Sequence, residues 1–167
     1  RLVMNFDATC IPVLTSISVL GELTNVGGCQ DQGDVNSDGF VDVLDVVAVV
    51  GSILGNSELD GGCGDMNDDG AVDVLDVVAM VSVILGGRDE AEATSATFTR
   101  SDGHMTMTAD GVVGAVQMTL SHGSDFSLEL TENAFVADYN TDGGTTKLIV
   151  VNPEGEIFTS IGDYDVE

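Results

Sequence analysis

Residues 33–55 read GDVNSDGFVDVLDVVAVVGSILG, and residues 64–86 read GDMNDDGAVDVLDVVAMVSVILG. The two stretches align without a gap at an offset of 31 residues and agree at 17 of 23 positions, so the chain holds a duplicated unit. Each copy opens on twelve residues with Asp at positions 1, 5, 9 and 12, Asn at 3 and Gly at 6. Calcium takes six to eight oxygens at about 2.3–2.6 Å, and short acids on alternate residues of a tightly wound loop can converge that many. The candidate ligands are Asp34, Asn36, Asp38, the carbonyl of Phe40, Asp42 and Asp45 in the first loop. In the second they are Asp65, Asn67, Asp69, the carbonyl of Ala71, Asp73 and Asp76. A carbonyl ligand leaves its side chain free to vary, as Phe40 and Ala71 do. Gly39 and Gly70 permit the sharp turn. Magnesium demands stricter octahedral geometry and keeps its waters, so two calcium ions, one per loop, are expected. Acidic surface turns are the competing reading, and the same six donor types repeated in register weigh against it.

A helix is expected after each loop. Val43, Val47, Val50 and Leu54 recur at i, i+4, i+7 and i+11 and make one apolar face, expected to be core. Val46, Val49 and Ile53 cover a second sector, and Leu44, Ala48 and Gly51 a third, which leaves Asp45 and Ser52 as a polar strip. The second helix repeats the pattern with Val74, Val78, Val81 and Leu85 on the first face and Leu75, Ala79 and Ser82 on the third. Two short helices cannot hide this much apolar surface on each other. Either a partner covers the remainder, or another part of this chain does.

A loop ending in Asp at position 12, one following helix with no entering helix, and duplication in tandem together resemble the type I dockerin over residues 29–87. The resemblance implies an extracellular, calcium-dependent module that docks onto cohesins, which are β-sandwiches, and tethers enzymes or surface proteins to scaffolds. It also implies that loop positions 10 and 11 help to read the cohesin. Here these are Val43–Leu44 and Val74–Leu75, where many cellulosomal members carry polar pairs, so a hydrophobic contact is expected.

The whole chain has 167 residues, with 29 Asp plus Glu against 4 Lys plus Arg and a formal charge of −25. Four basic residues cannot neutralise a phosphate backbone, and an anionic lipid surface repels such a chain, so nucleic acid and membrane surfaces are excluded as partners. The 43% hydrophobic content separates it from disordered acidic chains. No apolar run is long enough to insert in a membrane. The first residues, beginning at Arg1, show no export-signal pattern, and a processed or truncated product is expected. Of the three cysteines, Cys29 and Cys63 each precede a loop and are expected to pair, leaving Cys10 free, competing for Cys29 or bridging subunits. Calcium loops with such a disulfide place the protein outside the cytoplasm, secreted or at the cell surface.

From about Thr94 the composition turns to Thr, Ser, Val and Gly with apolar alternation. Strands are expected at 95–100, 104–109, 112–120, 126–130, 134–138, 145–151 and 156–160, separated by Asp-Gly and related turns. Such spacing indicates a small antiparallel β-sandwich. The stretch GVVGAVQMTLSHGSDFSLEL, residues 111–130, is similar to the early core strands of cohesin-like or carbohydrate-binding sandwiches. The sandwich is short, and a strand is expected to be missing.

Residues 1–28, with RLVMNF and IPVLTSISVL, read as an extended arm that returns to the sandwich or inserts into a neighbour's. The fold class is therefore α+β: arm 1–28, dockerin-like unit 29–87 and sandwich 88–167. His104 and His122 read as strand and turn residues, no nucleophile elbow is present, and no enzyme is expected. The expected function is that of a calcium-stiffened interaction protein docking onto a cohesin-like sandwich, on its own kind or on another protein. Head-to-tail self-assembly into a homo-oligomer or filament is one outcome; a tethering tail from a larger secreted enzyme or adhesin is the other.

Overall fold

The structure, a computed structural model, describes residues 31–59, 62–87 and 91–167. Helix α1 (Val43–Ile53) begins where Asp42, in extended backbone, accepts from Leu44 N–H while the Asp45 side chain returns to Asp42 N–H. Helix α2 (Val74–Ile84) begins in the same way on Asp73 and Asp76. Gly55 and Gly86, at φ +79° and +76°, take the left-handed conformation that lets the chain leave each helix. One turn of 3-10 helix, Gly62–Gly64, leads into the second loop.

Eight strands follow: β1 (Ala96–Ser101), β2 (His104–Ala109), β3 (Ala115–His122), β4 (Ser127–Leu130), β5 (Val136–Asp142), β6 (Thr145–Val151), β7 (Glu156–Ile161) and β8 (Tyr164–Val166). They form two four-stranded sheets, ordered β1-β2-β7-β4 and β5-β6-β3-β8, with antiparallel pairing throughout. The chain is α+β with a β-sandwich. The first seven strands lie where alternation placed them, within a few residues. β3 starts later than expected because Val112 instead bridges in parallel to Glu92. β8, three residues long, is too short to show alternation.

Two apolar clusters hold three layers together. Between the sheets lie Met105, Met107, Val116, Met118, Leu120, Leu148, Val150, Ile157 and Phe158. On the other side of the β5-β6-β3-β8 sheet, Ile149 and Val151 pack against Val46, Val49, Val50, Leu54, Val77, Met80 and Val81 of the helices. The expected core face of α1 is thereby corrected. Val43 and Val47 are 39% and 49% exposed, and the buried side chains are Val46, Val49, Val50 and Leu54. In α2 the buried side chains are Val77, Met80 and Val81; Val74 and Val78 are half-buried and Leu85 is exposed. A helix that is apolar nearly all round presents several rival stripes, and contact with the sheet selects among them. Asp45 does not lie on a polar strip either: it is wholly buried, as is Asp76, because each closes its loop from the inside.

The sheet thus covers much of the apolar surface that two helices alone could not hide. The expected arm, residues 1–28, and both Cys10 and Cys29 lie outside the described residues. No helix among the described residues is long and apolar enough to cross a membrane.

Candidate calcium loops and the sheet face beneath the helices

Each loop winds around its first acid. Asp34 accepts from Asp38 N–H at 3.1 Å through Oδ1 and from Gly39 N–H at 2.9 Å through Oδ2. Asn36 Oδ1 accepts from Asp38 N–H at 2.8 Å, and Asp38 Oδ1 accepts from Phe40 N–H at 3.0 Å. The last acid closes the ring: Asp45 Oδ1 accepts from Val35 and Asn36 N–H at 2.9 and 3.1 Å, and Oδ2 from Asp42 N–H at 2.9 Å. The second loop repeats this bond for bond, with Asp65 on Asp69 and Gly70, and Asp76 on Met66, Asn67 and Asp73. Gly39 and Gly70 sit at φ +92° and +89°, with open space where a Cβ would be. Backbone conformation, not crowding, is what requires glycine there. Gln32 ties the loops together, donating to the Asp65 carbonyl and to Asp68 Oδ1, and Gly33 N–H donates to the Cys63 carbonyl at 2.9 Å.

All twelve expected ligand residues thus lie in two loops of matching shape, although position 9, Asp42 or Asp73, also caps its helix. Among the described residues no group of three or more His, Cys, Asp or Glu is placed to hold a metal ion; the carboxylates are turned toward backbone N–H groups. The donor chemistry nevertheless fits calcium. Each loop offers four carboxylates and an Asn amide within one turn, and no ion pair among the described residues consumes any of them. Asp45 and Asp76, fully buried acids with no cationic partner among the described residues, are held by three N–H donors each.

The surface that receives the helices was not anticipated. Phe135, Val136, Ile149 and Val151 form it, and polar contacts pin one end of α1 to β5: Asn140 Nδ2 donates to the Leu54 carbonyl at 2.9 Å and Asn56 Nδ2 to Asp138 Oδ2 at 3.2 Å. α2 approaches so closely at Gly114 that an added Cβ would lie 2.7 Å from Val78 Cγ1. A sequence signal did exist. Leu148-Ile149-Val150-Val151 is an unbroken apolar run, which in a strand means burial on both faces.

No curated protein and no solved structure matches the chain. The dockerin type I domain family matches residues 32–80, the span that holds both loops, all of α1 and most of α2. Residues 32–80 are therefore a dockerin type I domain, a calcium-binding module for protein–protein interaction.

Proposed function

We propose that the chain is an extracellular, calcium-stiffened structural protein whose dockerin unit docks by its helices onto a cohesin-like β-sandwich. In an isolated copy that sandwich is its own; in an assembly it is a neighbour's, so that copies link head to tail into a filament. The observation that carries this reading is the packing of Val46, Val49, Val50, Val77, Met80 and Val81 on Ile149 and Val151, which puts the module and a surface it grips in one chain. An interface that forms within a chain forms between chains when the joining segment opens, the route to exchanged assemblies.

Two calcium ions would be held by Asp34, Asn36, Asp38, the Phe40 carbonyl, Asp42 and Asp45, and by Asp65, Asn67, Asp69, the Ala71 carbonyl, Asp73 and Asp76. Bound cations offset the mutual repulsion of four carboxylates per loop and so hold the helix starts in place. The unit runs over 29–87 and the sandwich over 88–167. A Cys29–Cys63 bond closes the unit, a pairing supported by the oxidised state of Cys63. The protein carries out no catalysis on this reading.

A second reading is favoured by what the sheet leaves uncovered. Leu44, Val47 and Leu75 remain 58%, 49% and 59% exposed, an apolar strip suited to a cohesin on another protein, with the chain acting as a tethering segment of a larger secreted enzyme or adhesin. Light scattering and electron microscopy of the purified chain, with calcium and with chelator, test the first reading: calcium-dependent growth in mass is expected. A monomer at high concentration in saturating calcium refutes assembly, and a native mass well above 17.2 kDa favours the tether.

A further inference from the structure

Of the edge strands of the two sheets, β4 carries Glu129, β5 carries Asp138 and Asp142, and β8 carries Asp165. Charged residues on an edge strand, like prolines and bulges, turn away an incoming strand. The remaining edge strand, β1, has neither acid nor proline, and it pairs with β2 without a break from Ala96 opposite Ala109 to Ser101 opposite His104. The register shift in this sheet falls one strand further in, between β2 and β7. The single charge of β1 is drawn inward, because the Arg100 guanidinium lies over the Tyr164 ring and donates to the Tyr164 carbonyl. In a chain of net charge −25, β1 is a regular edge without a guard.

The turn that follows β1 fixes which of its backbone groups face out. Asp102 and Gly103, at φ +50° and +82°, close a two-residue hairpin, so Ser101 and His104 form a hydrogen-bonded pair. Asp110 N–H donates to the Ser95 carbonyl at 3.2 Å, which gives the odd-numbered residues the same phase at the other end of the strand. Thr97 and Thr99 therefore bond β2, while Ala96, Phe98 and Arg100 turn their N–H and C=O outward, where no strand meets them among the described residues. Phe98 lies opposite the buried Met107, on the core side of the sheet, yet it stays 43% exposed at this edge.

We propose that β1 is an interface with a second copy of this chain, the two β1 strands pairing antiparallel about a two-fold axis at Phe98. About that axis Phe98 faces Phe98 and Ala96 faces Arg100, so each outward N–H of one copy meets a carbonyl of the other. On the core side each Phe98 ring covers the exposed flank of the other, a cross-strand aromatic pair. On the outer side Thr97 of one copy lies opposite Thr99 of the other. The strand is thus complementary to itself, as a closed two-fold dimer requires.

Charge selects the same place. Copies of so acidic a chain repel wherever their acids meet, and β1 brings none to the contact. The two Arg100 residues stand about 13 Å apart along the strands, beyond the screening length of about 8 Å. The outcome is one continuous sheet across two copies, made by an edge of the β1-β2-β7-β4 sheet, whereas the helices pack on the other sheet.

The test is residue-resolved amide hydrogen exchange on the intact chain in saturating calcium, repeated over a hundredfold dilution series. Protection at Phe98 and Arg100 should rise at least tenfold with concentration, while Thr97 and Thr99, already bonded to β2, hold constant. Thr97→Glu combined with Thr99→Glu sets acid against acid across the axis and should abolish the rise. Thr97→Lys combined with Thr99→Glu sets opposite charges there and should restore it. Both positions are exposed, and steady protection of the β6 amides reports that each variant keeps its sandwich. Free exchange at Phe98 and Arg100 at every concentration overturns the interface, and protection that ignores dilution overturns the second copy as its occupant. A rise that survives the paired acids overturns the two-fold register. Helix-driven docking leaves these amides free, so the head-to-tail reading and this one fail separately.

Discussion

The guanidinium carbon of Arg100 lies 3.8 Å from the centre of the Tyr164 ring, and Arg100 Nη1 donates to the Tyr164 carbonyl at 2.8 Å. Burial pushes the Tyr164 hydroxyl above its usual range, opposed by the Arg100 charge. A pKa raised by folding gives stability that is fully present below the unfolded value, about 10, and lost as pH climbs through the folded one. Urea midpoints should therefore fall above roughly pH 10 in the native chain. Tyr164 Oη is buried with no partner among the described residues, so Tyr164→Phe should cost about 0.5 kcal/mol or less at pH 7 and remove the alkaline slope. A steep alkaline slope persisting in Tyr164→Phe would place its origin elsewhere.

Asp45→Ala strips the acceptor from Val35, Asn36 and Asp42 N–H and empties a wholly buried site. The expected loss is about 3 kcal/mol, concentrated in the dockerin unit, because unsatisfied buried donors cost more than a bond contributes. Asp76→Ala should behave alike through Met66, Asn67 and Asp73. Calorimetric calcium titration of each variant should lose one binding event, and an unchanged titration would remove position 12 from the ligand set.

Gly114→Ala drives a methyl against Val78 Cγ1 and should lift α2 from the sheet at a cost of about 1–3 kcal/mol. Val78→Ala in the same chain should recover most of that loss. A double-mutant cycle in denaturant measures the coupling, and simple additivity would mean that the strain relaxes elsewhere.

Asp110 accepts from the Thr94 hydroxyl at 2.6 Å and from Ser95 and Thr94 N–H at 2.9 and 2.8 Å; these bonds, the Thr94 hydroxyl first, hold its carboxyl far below the usual range. A depressed carboxylate contributes above its unfolded value, about 3.9, and is lost as pH falls through the folded one. The entry to β1 should therefore stay closed at pH 4 in the native chain and open in Asp110→Ala at pH 7, seen as faster exchange of the Ser95 amide. Equal rates in the two chains would contradict this.

Much of this architecture was readable in advance because its signals are local. The in-register repeat announces paired loops with a helix after each, and seven of the strands announce themselves by alternation between turn signals. What escaped depends on distant contacts. Val43 and Val47 looked equivalent to Val46 and Val49 because all four belong to a helix with scarcely any polar side, and the sheet decides which are covered. The burial of Asp45 was missed because helical periodicity ignores a side chain that folds back to serve the loop before it. The dual burial of β6 was written in Leu148–Val151 but needed reading as a strand with no wet side.

That last feature sets how the molecule fails. Leu148 and Val150 face one neighbouring layer and Ile149 and Val151 the other, all four without measurable exposure. Peeling away the helices bares an oily plank on an otherwise intact slab. Such a slab clumps with its fellows long before it unravels.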